Sequence, residues 1–163
     1  MSQSEEFATA DLYDANEDKV QVALPMFADF GGRLTFSGSI STVKVHEDNT
    51  LVRQALEEQG EGRVLVIDGG ESLRCALVGD MLAELGHDND WHGIIVSGCI
   101  RDSAVIVGID IGVKAVGTNP RKSVKLNTGQ RDIPVSFASV TFTPGEYLYA
   151  DEDGILLAKE ALI

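Results

Sequence analysis

Two short stretches of this chain carry the residue types that chemistry on a small acid would need: Gly79-Asp80 and Gly98-Cys99-Ile100-Arg101-Asp102. Arginine presents a rigid fork of donors that matches a carboxylate at two points. Aspartate supplies hard oxygen, suited to Mg²⁺ or Mn²⁺. Mg²⁺ keeps several waters and takes only one or two protein carboxylates, so Asp80 and Asp102 suffice for a sparse site. A helix beginning at Asp80 would expose the backbone N–H groups of Met81 and Leu82, and free amides at a helix start favour anions. If Asp80 serves a cation through a water, it cannot also cap its own helix, and those amides stay available for a substrate carboxylate. The plain alternative is a local surface pair of Arg101 with Asp102 and a solvated Asp80. Cys99 lies within the second stretch, but no histidine lies near it in sequence to act as its base, so it reads as a structural thiol. Cys75 and Cys99 also lack the spacing of a zinc site.

Strands and turns must hold these groups. Arg63 to Ile67 (RVLVI) is a short apolar run ending in Asp68-Gly69-Gly70, which predicts a buried parallel strand with a turn at its carboxyl end. Gly93 to Ser97 (GIIVS) reads as a second such strand closed by Gly98, and Val113 to Val116 as a third. Leu73 to Leu85 is helical in composition, but glycine is poor inside a helix, so Gly79-Asp80 marks a break between a short first turn and a helix starting near Asp80. Thr9 to Glu17 reads as a helix capped by Thr9, and a helix capped by Asn49 runs to about Gln59. Leu34 to Val45 has strand composition, and Ser103 to Gly108 reads as a short helix. After Pro120, alternating runs at Val135-Ser136-Phe137, Val140-Thr141-Phe142, Tyr147-Leu148-Tyr149 and Ile155-Leu156-Leu157 are separated by turn residues. The middle is therefore βαβαβ with parallel strands, and the second half is β-rich and antiparallel. Catalytic groups in such folds gather at the carboxyl ends of parallel strands, where both stretches lie.

Size and charge narrow the function. At 163 residues, the chain fits one domain over residues 1–163, large enough to bury a core without staples. Thirteen basic residues stand against 26 acidic ones, a net charge of −13 that argues against direct nucleic-acid binding. No apolar run approaches a membrane span, and the polar, acidic start Met1 to Glu6 is unlike a secretory signal. A cytoplasmic location is expected.

Asp80, then twenty residues, then Arg101-Asp102 resembles the D-x20-R-D signature of the class II pyruvate aldolases for 4-hydroxy-4-methyl-2-oxoglutarate, in the RraA-like family that also contains the regulator of ribonuclease E activity. The resemblance extends over Phe30-Gly31-Gly32-Arg33, Arg63 to Gly70, Ala76 to Asp80, Trp91-His92-Gly93, Ile109 to Gly112 and Tyr149-Ala150-Asp151. It implies a three-layer β/β/α swivelling-type domain, an α/β fold, usually a homotrimer with active sites near subunit contacts. It implies a divalent cation, Mg²⁺ or Mn²⁺, with Asp102 as direct ligand, Asp80 acting through bound water, and Arg101 on the pyruvate moiety of the substrate. The backbone of Gly79, Asp80, Met81 and Leu82 would hold substrate oxygens.

The implied activity is cleavage of 4-hydroxy-4-methyl-2-oxoglutarate to pyruvate through a pyruvate enolate, stabilised by the metal and Arg101. Oxaloacetate decarboxylation passes through the same enolate and should accompany it. Longer aldolases of the family carry a C-terminal extension that brings acidic residues across a subunit interface; with the sequence ending at Ile163, this chain is expected to lack it, which leaves the native substrate open. A competing reading is a non-catalytic regulator that docks on ribonuclease E. The complete acid pair favours the enzyme. A quinone-pathway methyltransferase, a name sometimes attached to relatives, is set aside, because no GxGxxG loop follows a strand.

Overall fold

Parallel strands form the centre of the molecule, and both of their faces are covered. The computed structural model describes residues 6–163; the acidic start at residues 1–5 lies outside them. In chain order the elements are α1 (Thr9–Ala15), a 3-10 turn (Glu17–Lys19), β1 (Val20–Val22), β2 (Ala28–Asp29), β3 (Phe36–Lys44) and α2 (Thr50–Glu57). Then come β4 (Val64–Asp68), β5 (Ala76–Val78), α3 (Asp80–Asp88), β6 (Gly93–Ile100), α4 (Ser103–Ile106) and β7 (Gly112–Thr118). Short strands follow: β8 (Gln130–Arg131), β9 (Val135–Phe137), β10 (Val140–Phe142), β11 (Tyr147–Asp151) and β12 (Gly154–Ala158).

The main sheet runs β1-β12-β11-β3-β4-β6-β7-β2, with β5 added beside β6 and β8 beside β3. Strands β3, β4, β6 and β7 are mutually parallel, as is β5 to β6. Strands β11, β12 and β1 continue the sheet antiparallel, and β9 and β10 form a separate hairpin. Alternation along β4 shows why its sequence is apolar throughout. Leu65 and Ile67 join a core with Val52, Ala55 and Leu56 of α2 and Leu82 and Ala83 of α3. Val64 and Val66 face the opposite core, with Phe142, Leu148, Ile155 and Leu157. Helices, parallel strands and a second β layer are thus stacked as the fold class anticipated. Gly93 and Gly112, paired across β6 and β7, leave room for the Phe36 ring, which a Cβ at Gly112 would meet at 2.1 Å.

Several elements differ from expectation. Residues 76–78 form strand β5 rather than a helical turn, and all three are buried. A three-residue apolar stretch has no period to read, and pairing with β6 decides it. Strand β6 does not stop at Ser97 but runs through Gly98 to Ile100, because β5 and β7 pair with it as far as that residue. Thr9 does not cap α1. Ala8 holds the cap position, while the Thr9 amide and hydroxyl donate to the Asp151 carboxylate at 2.8 and 2.6 Å. Asn49 occupies the cap position of α2, but its side chain donates to the Leu77 carbonyl; Asp48 Oδ1 takes the Thr50 amide instead. Among the described residues no helix is long and apolar enough to cross a membrane.

Candidate active site

The carboxyl ends of β5 and β6 lie side by side, tied by the Arg101 amide donating to the Val78 carbonyl at 2.9 Å. Gly79 follows β5 in extended conformation (φ −118°) and caps α3. Arg101 and Asp102 follow β6. Asp102 adopts the left-handed conformation (φ 60°, ψ 36°), which aspartate tolerates better than most residues and which recurs at functional sites. Its carbonyl accepts the Val105 and Ile106 amides and so starts α4. This turn lays the carboxylate over the start of α3, where Asp102 Oδ2 accepts the Asp80 amide at 3.2 Å. Gly79 makes the approach possible: a Cβ there would stand 2.8 Å from Asp102 Oδ2 and 3.5 Å from Arg101 Cγ.

The two ends of the D-x20-R-D pattern therefore meet. The Asp80 carboxylate turns onto its own first turn, accepting the Met81 amide at 2.8 Å. Of the two amides expected to be open, that of Met81 thus carries an internal carboxylate, because a short aspartate side chain reaches the neighbouring amide without leaving the helix, whereas no carboxylate among the described residues takes the Leu82 amide. Arg101 Nε lies 4.0 Å from Asp102 Oδ2, the outer edge of ion-pair distance, with both side chains well exposed to solvent. Its Nη1 reaches the Pro120 carbonyl at 3.4 Å. The local pair of the plain alternative exists, but weakly.

Gly79, Asp80, Met81, Leu82, Arg101 and Asp102 all line one cavity of about 270 Å³. Its other walls are Asn49 at the cap of α2, Arg53 within α2, Ala76 of β5, and Lys122, Ser123 and Lys125 from the segment after β7. Asn49 was recognised only as a cap. Arg53, four residues on and hence on the same helix face, was the signal available. Residues 119–127 have no periodicity from which their position could be read.

Asp48 fixes that segment. It is 1% exposed, and Oδ2 accepts the amides of Leu126 and Thr128 and the Thr128 hydroxyl. Burial pushes its pKa up, but these bonds and those from Thr50 outweigh it and hold the carboxyl well below its ordinary range.

Among the described residues no trio of His, Cys, Asp or Glu side chains could enclose a metal. Two carboxylates at an open cavity are a poor donor set for zinc but suit a hard cation that retains its waters. Cys99 is buried at 1% exposure, and burial pushes its thiol pKa up, as it does for Cys75; neither suits a thiolate nucleophile. A larger cavity of about 360 Å³, lined by Phe7, Phe36, Tyr147 and Tyr149, brings together no pair of carboxylates. Its Arg33 is already paired with Asp110 at 3.2 Å.

Comparison with known proteins adds to the geometry. The family model described as RraA-like, Aldolase/RraA, matches residues 9–157. A protein of Aromatoleum aromaticum, designated provisionally as 4-hydroxy-4-methyl-2-oxoglutarate aldolase, is 57% identical, over 97% of this chain and 99% of its own. A solved structure from Geobacillus kaustophilus, described as an S-adenosylmethionine: 2-dimethylmenaquinone methyltransferase, superimposes with a TM-score of 0.94 at 49% identity, covering 96% of this chain and 97% of that one. The structure of the RNA-processing inhibitor RraA from Thermus thermophilis gives 0.92 at 42% identity, covering 96% and 94%.

Proposed function

The chain belongs to the RraA-like aldolase family, and on that premise we propose that it is a cytoplasmic, divalent-metal-dependent lyase cleaving 4-hydroxy-4-methyl-2-oxoglutarate, with oxaloacetate decarboxylation as a second activity. One observation carries the reading: Asp102 Oδ2 accepts the Asp80 amide at 3.2 Å, so the acid pair of the signature converges on one helix start.

Asp102 would hold the cation directly and Asp80 through a water, with Mg²⁺ or Mn²⁺ the suited ions. A cation bound there supplies Lewis acidity toward the 2-oxo group. The rest falls to the chain itself. Arg101, exposed at the cavity and only loosely paired, offers its fork to the pyruvate moiety. The helix-start backbone of Gly79 to Leu82 orients the substrate carboxylate. Cleavage releases the 4-hydroxyl proton, breaks C3–C4, and leaves the electron pair on C3 as a pyruvate enolate, whose charge Arg101 stabilises. C3 then takes up a proton to give pyruvate. Oxaloacetate reaches the same enolate by losing CO₂. The family resemblance supports assembly as a homotrimer.

A second reading has its own support. The Thermus relative, 42% identical, is described as an RNA-processing inhibitor, and an acidic chain of net charge −13 suits docking on basic segments of a ribonuclease E. The methyltransferase description of the Geobacillus relative has no counterpart in this sequence, which carries no GxGxxG loop after a strand.

The test is a metal-dependence assay with both 2-oxo acids in parallel. Turnover of each should require Mg²⁺ or Mn²⁺ and disappear with EDTA, and Asp102→Ala should lose metal activation while staying folded. Full turnover in metal-free protein, or in Asp102→Ala, would overturn the assignment.

A further inference from the structure

The cavity beside Asp102 is more positive than enolate chemistry requires. The chain carries −13 overall, yet Arg53, Arg101, Lys122 and Lys125 line this cavity against two carboxylates, Asp80 and Asp102. Two of the four cations are engaged: Arg101 with the Pro120 carbonyl, and Lys125 with Asn49 Oδ1 at 3.3 Å. Arg53 and Lys122 make no ion pair and no side-chain hydrogen bond among the described residues. Ser123, next to Lys122 on the same wall, is 5% exposed, and its enclosed hydroxyl has no hydrogen-bond partner among the described residues. Buried hydroxyls are nearly always satisfied; the Ser41 and Ser97 hydroxyls share this state, but of the three only Ser123 belongs to the wall of this cavity, beside two unpaired cations.

We propose that Arg53, Lys122 and the Ser123 hydroxyl form a subsite for the substrate's second carboxylate, the one carried by the fragment that departs on C3–C4 cleavage. The proposal rests on the lyase reading and adds to it the residues that select dicarboxylates. The cavity, about 270 Å³, lies at the small end of ligand pockets. It suits a short diacid and excludes a polynucleotide.

The arrangement has a kinetic consequence. In aldol cleavage the C4 hydroxyl loses its proton, C3–C4 breaks with its pair going to C3, and the distal carboxylate keeps its charge throughout. Cations on that carboxylate then stabilise ground and transition states alike. In oxaloacetate decarboxylation the distal carboxylate itself becomes neutral CO₂, its charge passing to the enolate. Cations there favour the ground state over the transition state and slow the step. The subsite therefore favours a diacid that undergoes aldol cleavage over oxaloacetate.

The test uses Arg53→Gln, Lys122→Gln and Ser123→Ala in the full chain with Mg²⁺. Calorimetry compares 2-oxoglutarate, which has the distal carboxylate but no 4-hydroxyl to start cleavage, with pyruvate, which has none. Each Gln variant should lower the ratio of 2-oxoglutarate to pyruvate affinity about three- to tenfold. In turnover, the ratio of aldol cleavage kcat/KM to oxaloacetate decarboxylation kcat should fall with it. Equal effects on both ligands, or none, overturn the subsite. A selective binding loss in a protein that turns over neither acid sustains the subsite and sinks the lyase reading instead.

Discussion

Gly79→Ala tests the site with one methyl group. The backbone at Gly79 is extended, φ −118° and ψ −169°, so alanine fits the conformation without strain. The methyl carbon would stand 2.8 Å from Asp102 Oδ2, whereas ordinary contact begins near 3.4 Å, so the carboxylate must retreat by about 0.6 Å. Its bond to the Asp80 amide is already 3.2 Å long, the upper end of the normal range, and such a retreat breaks it. The colliding atom is the tip of a half-exposed side chain, so the fold yields locally. Alanine is also a poorer N-cap than glycine, by roughly 0.5–1 kcal/mol, which at this chain length lowers Tm by about 2–3 °C. Catalysis should suffer far more, because a misplacement on the order of 1 Å in a catalytic constellation costs about a hundredfold. Oxaloacetate decarboxylation at saturating Mg²⁺, read beside a thermal melt, separates the two effects. A variant that keeps both its rate and its Mg²⁺ dependence would show that the Asp102 carboxylate has no role where it lies.

Arg101→Lys keeps the charge but loses the two-point fork, so inhibition by oxalate should weaken about tenfold, read as the change in Ki; an unaltered Ki removes Arg101 from substrate binding. Asp48→Asn should cost ~2 kcal/mol at pH 7, since the bonds to a charged acceptor weaken. The Asp48 pKa is depressed in the folded state, so its stabilisation is present above the unfolded value of about 3.9 and is lost as pH falls through the folded one. Urea unfolding of both proteins at pH 7 and pH 3 should show the gap narrow in acid, and a constant gap refutes the electrostatic cause.

The parallel strands were legible because both their faces are buried. Runs such as Val64 to Ile67 are apolar without a break, and burial on alternate sides makes that composition necessary. The aspartates and Arg101 were legible as residue types at a recognised spacing, but their meeting was not. It depends on β6 continuing past Gly98 to Ile100 and on residues 76–78 pairing beside it. Neither can be read from a window of the sequence, because sheet pairing between distant segments sets strand ends. Thr9 and Asn49 show the opposite failure. Each has good capping chemistry in the right local place, yet tertiary partners, Asp151 and the Leu77 carbonyl, claim their side chains. The cationic wall at Lys122, Ser123 and Lys125 is the harder case. It lies on irregular backbone held by distant partners: Ala76 donates to the Arg121 carbonyl, Val124 bonds Glu47 and Asn49 through its backbone, and the buried Asp48 anchors Leu126 and Thr128, 78 and 80 residues away.

The charges at the helix start form a chain of shared partners. Met81 donates to Asp80, Asp80 donates to Asp102, and Asp102 lies at the edge of Arg101's reach. An amide donates one strong bond at a time, so a substrate carboxylate that settles on the Asp80 or Met81 amide must displace an internal one. That exchange replaces one charge-assisted bond with another and spares the cost of stripping water from bare amides. It also frees a carboxylate oxygen at the moment the substrate arrives, beside the arginine that must choose between them. Substitutions along this chain should therefore be non-additive. Removing Asp102 releases both an amide and a guanidinium, so the loss from changing Arg101 depends on whether Asp102 is still there to compete for it.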